Sequence, residues 1–183
     1  MALTATIYTF DIQLTDVDRS VYETLDLRVA RHPSETEASV VTRVLAYCLE
    51  YAEGISFSKG ISDPEDPAIA VRDLTGVLRV WIDIGAPDAA RVHRAAKSAP
   101  RVVVYTHKDP DQLIRQWSGE RIHRLDALEL YSVPGSLLDA LVARLTRRMS
   151  FALSISGKDL YFTFDDGTIE GRVDRHVLPS VAR

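Results

Sequence analysis

Apolar and polar residues alternate from Thr9 to Thr15, with Phe10, Ile12 and Leu14 on one side and Asp11 and Gln13 on the other, which is the period of a half-buried strand. Leu25, Leu27 and Val29 repeat that period with Asp26 and Arg28 outward, and the polar stretch from Thr15 to Ser20 suits a hairpin connection between the two. The period then lengthens. Val41, Val44, Leu45, Cys48, Leu49 and Ala52 recur at helical spacing and Gly54 closes the run. Ser34 followed by Glu37 predicts a capping box at its start, with Glu35 beyond the edge of the apolar stripe.

Ile55 to Lys59 alternates as a short strand and leads into an acidic loop, Asp63 to Pro67, whose two prolines forbid regular pairing. Val77 to Ile84 is rich in β-branched and aromatic residues between Gly76 and Gly85, so it predicts a strand with Asp83 near its end. Pro87 to Ala99 predicts a helix with Val92, Ala95 and Ala99 on one face and Arg91, Arg94 and Lys97 on another. Arg101 to Tyr105 is a continuous apolar run typical of a strand covered on both sides, so strand, helix and strand imply a parallel crossover. A less regular helix carrying Arg115 is expected over Asp111 to Arg121, and a strand over Leu128 to Val133. Ser136 and Asp139 predict a second capping box on a helix that turns Leu138, Leu141, Val142 and Leu145 inward. From Met149 the period is two again, with turns at 156–159 and 165–168, an antiparallel meander.

The chain of 183 residues is long enough to bury a substantial core as a single domain, 1–183. Cys48 is the one cysteine, which excludes an internal disulfide and a thiolate metal site. No apolar run is long enough to cross a membrane and no signal-like start is present, so a cytoplasmic protein without membrane partners is expected. The net charge of −4 argues against a general nucleic-acid coat protein, but it averages a gradient. Residues 1–90 carry 7 Lys and Arg against 15 Asp and Glu, whereas 91–124 carry 8 against 3. That order suits a metal held by carboxylates beside a basic wall for phosphates, and it equally suits two solvated faces.

An acid flanked by Ile82 and Ile84 needs a partner, and a divalent metal and an arginine are the two natural candidates for Asp83. Phosphate loops, dinucleotide fingerprints and serine-hydrolase elbows are absent, and the five histidines are scattered. What remains is a set of hard oxygen ligands, which prefer Mg2+ or Mn2+.

The order helix, strand, acidic loop, strand ending in Asp83, basic helix, strand resembles the αβββαβ core of the PD-(D/E)XK nucleases. The runs RHPSET from Arg31 to Thr36 and WIDIGAPD from Trp81 to Asp88, with the opening MALTATIY, resemble the YaeQ family across essentially the whole chain. The resemblance implies an α+β fold, a mixed β-sheet with a restriction-endonuclease-like core, here preceded by the hairpin and followed by the meander. It places Asp83 at the (D/E) position, Asp66 or Asp73 as the upstream acid and Glu35 as the acid of the first helix. Gly85 stands where the superfamily has lysine, and Lys59 is a candidate to replace it. The implied activity is metal-assisted phosphodiester hydrolysis, with Mg2+ or Mn2+ on Asp83 and Asp66 or Asp73. DNA or RNA would be gripped by Arg91, Arg94, Lys97 and Arg115. The alternative is a non-catalytic module that keeps the scaffold and binds nucleic acid or a regulatory protein.

Overall fold

The computed structural model describes residues 4–58 and 63–179. In chain order its elements are β1 (Thr6–Asp16), β2 (Val21–Arg31), α1 (Glu37–Leu49), β3 (Ile55–Phe57), β4 (Ile69–Arg72), β5 (Leu78–Ile84), α2 (Ala89–Ser98), β6 (Arg101–Thr106), α3 (Pro110–Ser118), β7 (Glu129–Ser132), α4 (Gly135–Ala143), β8 (Arg148–Ser156), β9 (Asp159–Phe164), β10 (Gly167–Arg172) and β11 (Asp174–His176). The fold is α+β with mixed sheets, as the residue pattern and the resemblance led one to expect. Contacts group the chain into two compact units, each assembled from separated stretches: Met1–Leu49 with Val133–Val173, and Glu50–Ser132 with Asp174–Arg183.

The first unit is a five-stranded sheet ordered β10-β9-β8-β1-β2, antiparallel except where β1 runs parallel to β8. The hairpin and the meander are thus halves of one sheet. Its apolar face carries Phe10, Leu153 and Phe162 against Val44, Leu45 and Cys48 of α1 and Leu141 of α4. Cys48 is fully enclosed there, and burial pushes its thiol up to about 12, so it serves as a small apolar side chain. Neither expected capping box forms. Thr36 caps α1 by accepting the N–H of Ser39 at 3.1 Å, while Ser34 bonds His32 Nδ1 at 2.6 Å and Glu37 lies exposed. At α4 the cap position is Pro134, which has no side-chain acceptor to offer. At α1 a Thr two positions along from Ser34 offers the same chemistry, and the entry of the chain into the helix decides between them.

The second unit is a six-stranded sheet ordered β11-β7-β6-β5-β4-β3, in which β5, β6 and β7 are parallel. Helices α2 and α3 make the two crossovers and cover the same face, burying Val92, Ala95, Leu113 and Trp117 against Trp81, Val102, Val104 and Leu130. Trp117 is completely enclosed and its indole N–H donates to Pro87 O at 3.0 Å, tying α3 to the approach of α2. Strand β4 is a four-residue element that the sequence pattern did not separate from the acidic loop before it.

Gly54 follows α1 with φ +87°, its carbonyl accepting the Arg72 N–H at 3.1 Å. An added Cβ would meet Arg72 O at 1.9 Å, a backbone atom that cannot swing aside. Gly76 has a similar φ of +85° in the turn between β4 and β5, with open space around it. Gly76→Ala is therefore expected to lower the unfolding free energy by about 1 kcal/mol. Gly54→Ala adds the clash and should lower it by about 3 kcal/mol or more. Parallel denaturant melts of the two variants check the difference, and equal losses would show that the Gly54–Arg72 approach does not matter.

Candidate functional site

Strand β5 lies inside its sheet, between β4 and β6, and its period of two turns Trp81 and Asp83 toward the helix-covered face. Asp83 is 2% exposed, so its charge is stable only if its oxygens are satisfied. Arg91, in the first turn of α2, meets it side-on: Nε donates to Oδ2 and Nη2 to Oδ1, both at 2.8 Å. A third donor, the Ala68 N–H, reaches Oδ1 at 3.3 Å. The α2 start is itself held by Asp88, whose side chain accepts the Arg91 N–H at 2.8 Å, so backbone and guanidinium of one residue are both placed. The guanidinium also lies 5.4 Å from the centre of the Trp81 ring.

The same arginine holds the acidic loop, and it does so through backbone rather than carboxylates. Its Nη1 donates to Asp63 O at 3.2 Å and its Nη2 to Asp66 O at 2.8 Å, and one turn on, Arg94 Nη1 donates to Pro64 O at 2.8 Å. Arg91 and Arg94 thus grip three carbonyls of the loop. Asp66 is exposed.

Asp73 faces another task. Its carboxylate accepts the Thr75 hydroxyl at 2.6 Å, the N–H groups of Thr75 and Val77, and Arg79 Nε at 2.8 Å, closing the turn into β5. The Thr75 hydroxyl first, and then Arg79 and the turn N–H groups, lower its pKa to about 2. Glu35 belongs to the first unit, where it pairs with Arg43 at 3.1 Å and accepts the Ser39 hydroxyl. Lys59 lies outside the described residues. Asp83, Asp73 and Glu35 therefore have separate employment, and among the described residues no three His, Cys, Asp or Glu side chains gather as a metal would require. Asp83, Asp66 and Asp73 do not fit Mg2+ or Mn2+ in this arrangement, because both Asp83 oxygens are held by Arg91 and Asp73 is committed to its own turn.

Gly85, two residues past Asp83, has φ +89° and donates its N–H to Tyr105 O at 2.9 Å. A side chain there would carry left-handed strain and come within 3.6 Å of the His107 ring. His107 has its pKa lowered, first by burial and then by the charge of Lys108. Of the candidate phosphate contacts, Lys97 on α2 and Arg115 on α3 are exposed.

A second charged cluster went unread in the sequence. Arg101, at the start of β6, bonds Glu129 at 2.5 Å through Nε and Glu50 at 2.6 Å through Nη1. Tyr105 donates its hydroxyl to Glu50 at 2.7 Å, Tyr131 donates to Glu129 at 3.2 Å, and the two rings stack at 5.1 Å. Burial works to lower the Arg101 pKa, but the two glutamates overcome it and hold the guanidinium charged. The one sequence signal was parity: Arg101 and Tyr105 share a face of β6, and Glu129 and Tyr131 share one of β7. Each alone looks like a strand-end residue.

One unit with two parallel crossovers covering a mixed sheet, another with a sheet built from a hairpin and a meander, and an acid near the end of a central strand locked to a helix arginine define an α+β protein, with no metal-ligand grouping among the described residues. The YaeQ protein family matches residues 1–173, and this chain belongs to it. The Escherichia coli K12 protein described as "Uncharacterized protein YaeQ" is 28% identical over 98% of this chain and all of its own length. A Salmonella typhi protein of the same description is 34% identical over 58% of this chain and 59% of its own. Among solved structures, the YaeQ protein from Xanthomonas axonopodis pv. citri superposes with a TM-score of 0.84 at 29% identity, covering 96% of this chain and 100% of that one. The YaeQ protein from Pseudomonas syringae gives 0.82 at 32% identity, covering 96% and 97%.

Two outcomes follow from these ion pairs. Arg91→Ala leaves the Asp83 charge buried without its cation and is expected to cost about 3–5 kcal/mol of stability, with Asp83→Asn partly relieving that loss in the double variant. A double-mutant cycle by denaturant melts checks this, and strict additivity would show the pair to be uncoupled. Burial works to raise the Glu129 pKa, but hydrogen bonds and charge from Arg101 outweigh it and hold the pKa below its ordinary 4.5. Its stabilisation is therefore complete above that ordinary value and is lost as pH falls through the depressed one. Melting temperature against pH should fall less steeply on the acid side in Glu129→Gln than in the parent.

Proposed function

We propose that this chain is a non-catalytic binding module on a nuclease-like scaffold, and that its partner is the phosphate backbone of a nucleic acid. The observation that carries the first half is the two-point Asp83–Arg91 pair: the acid at the central position of the resemblance is already neutralised by a cation built into α2. A magnesium ion would have to displace that guanidinium and release the loop carbonyls of Asp63 and Asp66 with it. Gly85 adds to this reading, because its left-handed backbone disfavours the missing lysine.

The second half rests on what the basic stretch has left over. Arg91 and Arg94 are committed to the loop and Arg101 to Glu50 and Glu129. Lys97 and Arg115 remain in water on α2 and α3, which lie on one face of the same sheet. Phosphate contacts of this kind give weak, salt-dependent binding with little sequence preference.

Fluorescence anisotropy with single- and double-stranded DNA and RNA, run alongside a cleavage assay in Mg2+ and Mn2+, tests the reading. The expected result is binding without cleavage, weakened about tenfold by Lys97→Ala with Arg115→Ala and falling with added salt. Metal-dependent cleavage that Asp83→Asn abolishes would establish phosphodiester hydrolysis instead. Absence of binding to every nucleic acid would leave a regulatory protein as the partner. No helix among the described residues is long and apolar enough to cross a membrane.

A further inference from the structure

Among the described residues β2 forms one edge of the five-stranded sheet, and it is long, with Arg43 of α1 meeting it only at its Ala30 end. Its eleven residues pair with β1 in unbroken register from Thr6↔Arg31 to Asp16↔Val21, without bulge or proline. Natural edges are usually blunted by such devices, because a straight free edge recruits another strand. We infer that β2 pairs antiparallel with β2 of a second copy of this chain, centred on Leu27, to make one continuous ten-stranded sheet.

Backbone parity shows which groups are offered. Thr9 donates its N–H to Arg147 O, on the β8 side of β1, so its partner across β1–β2, Arg28, directs its own N–H and C=O away from β1. The even-numbered residues of β2 follow suit. Ala30 confirms this independently, since its carbonyl accepts a bond from Arg43 on α1 at 2.9 Å rather than from β1. Thr24, Asp26 and Arg28 therefore present their backbone groups to the open edge, and all three are exposed.

Charge then selects the register. Along β2 the acids Glu23 and Asp26 precede the bases Arg28 and Arg31, so the strand is antisymmetric in charge about Leu27. With two copies antiparallel and Leu27 opposite Leu27, Asp26 faces Arg28 of the partner twice over, on the solvent side, and both are residues whose backbone groups point to the edge. Sliding by two residues in either direction, which preserves the faces, sets Asp26 on Asp26 or Arg28 on Arg28. Within its own unit Asp26 lies directly across from Asp11, whose cation is Arg148 at 3.5 Å. Among the described residues Asp26 and Arg28 form no ion pair of their own, so each has a charge to offer.

A single strand pair buries less than a standard interface, so the dimer is weak, with a dissociation constant on the order of 100 µM. Sedimentation equilibrium from about 10 µM to 1 mM, at low salt, tests it. Asp26→Arg should weaken association at least about tenfold. The exchange of both residues, Asp26→Arg with Arg28→Asp, should restore it by re-forming the same pairs reversed. Asp26→Arg is safe for the fold, since it replaces the like-charged contact with Asp11. A monomer throughout the range, a dimer indifferent to Asp26→Arg, or a double exchange that fails to restore association would each overturn the proposal.

Discussion

The buried pair between Asp83 and Arg91 sets the terms for the second unit. A carboxylate 2% exposed on an interior strand is stable only if its lost hydration is replaced, and the guanidinium fork supplies two of the three bonds that do so. Because Arg91 has donors to spare, the same residue gathers the carbonyls of Asp63 and Asp66, so the order of the acidic loop is linked to the neutralisation of Asp83. The helix that carries Arg91 must start where it does, and Asp88 sees to that. Strand end, loop and helix start are parts of one electrostatic arrangement.

The Arg101 cluster solves the same problem on the opposite face of the sheet. Successive residues of β6 point to opposite sides, so Arg101 and Tyr105 look away from Val102 and Val104, which pack under the helices. There one guanidinium serves two glutamates, and each glutamate receives a tyrosine hydroxyl as well. The group is dense in charge and hydrogen bonds, and its acids are spoken for. Chemistry cannot be read from the presence of carboxylates alone; what matters is which of their lone pairs are uncommitted.

The first unit meets a different constraint. Its sheet satisfies its interior backbone bonds within the unit, and its apolar face closes over α1 and α4, but among the described residues the outer edge of β2 has no strand beside it. Charge is arranged there by position along the strand, acids first and bases later.

Much of this architecture was legible in local pattern. The hairpin, the meander, the crossover from β5 through α2 to β6 and the buried run of β6 all follow from period two, period 3.6 and turn residues, because those signals are written within a few positions of each other. The end of β5 and the isolation of Asp83 among isoleucines were visible too, as was the choice between a metal and an arginine for its partner. Helix caps were misplaced by a residue or two, since Ser34 and Thr36 offer the same chemistry and the approach of the chain selects one. Four-residue β4 was missed for want of length. What only the tertiary structure decided was partnership. It determined that β1 runs beside β8 across more than a hundred residues, that Arg91 rather than a metal meets Asp83, that Asp73 turns to Thr75 and Arg79, and that Glu50 and Glu129 converge on Arg101. Periodicity states which way a side chain points relative to its own strand or helix; the identity of the group it finds there depends on distant segments, and no local spacing encodes it.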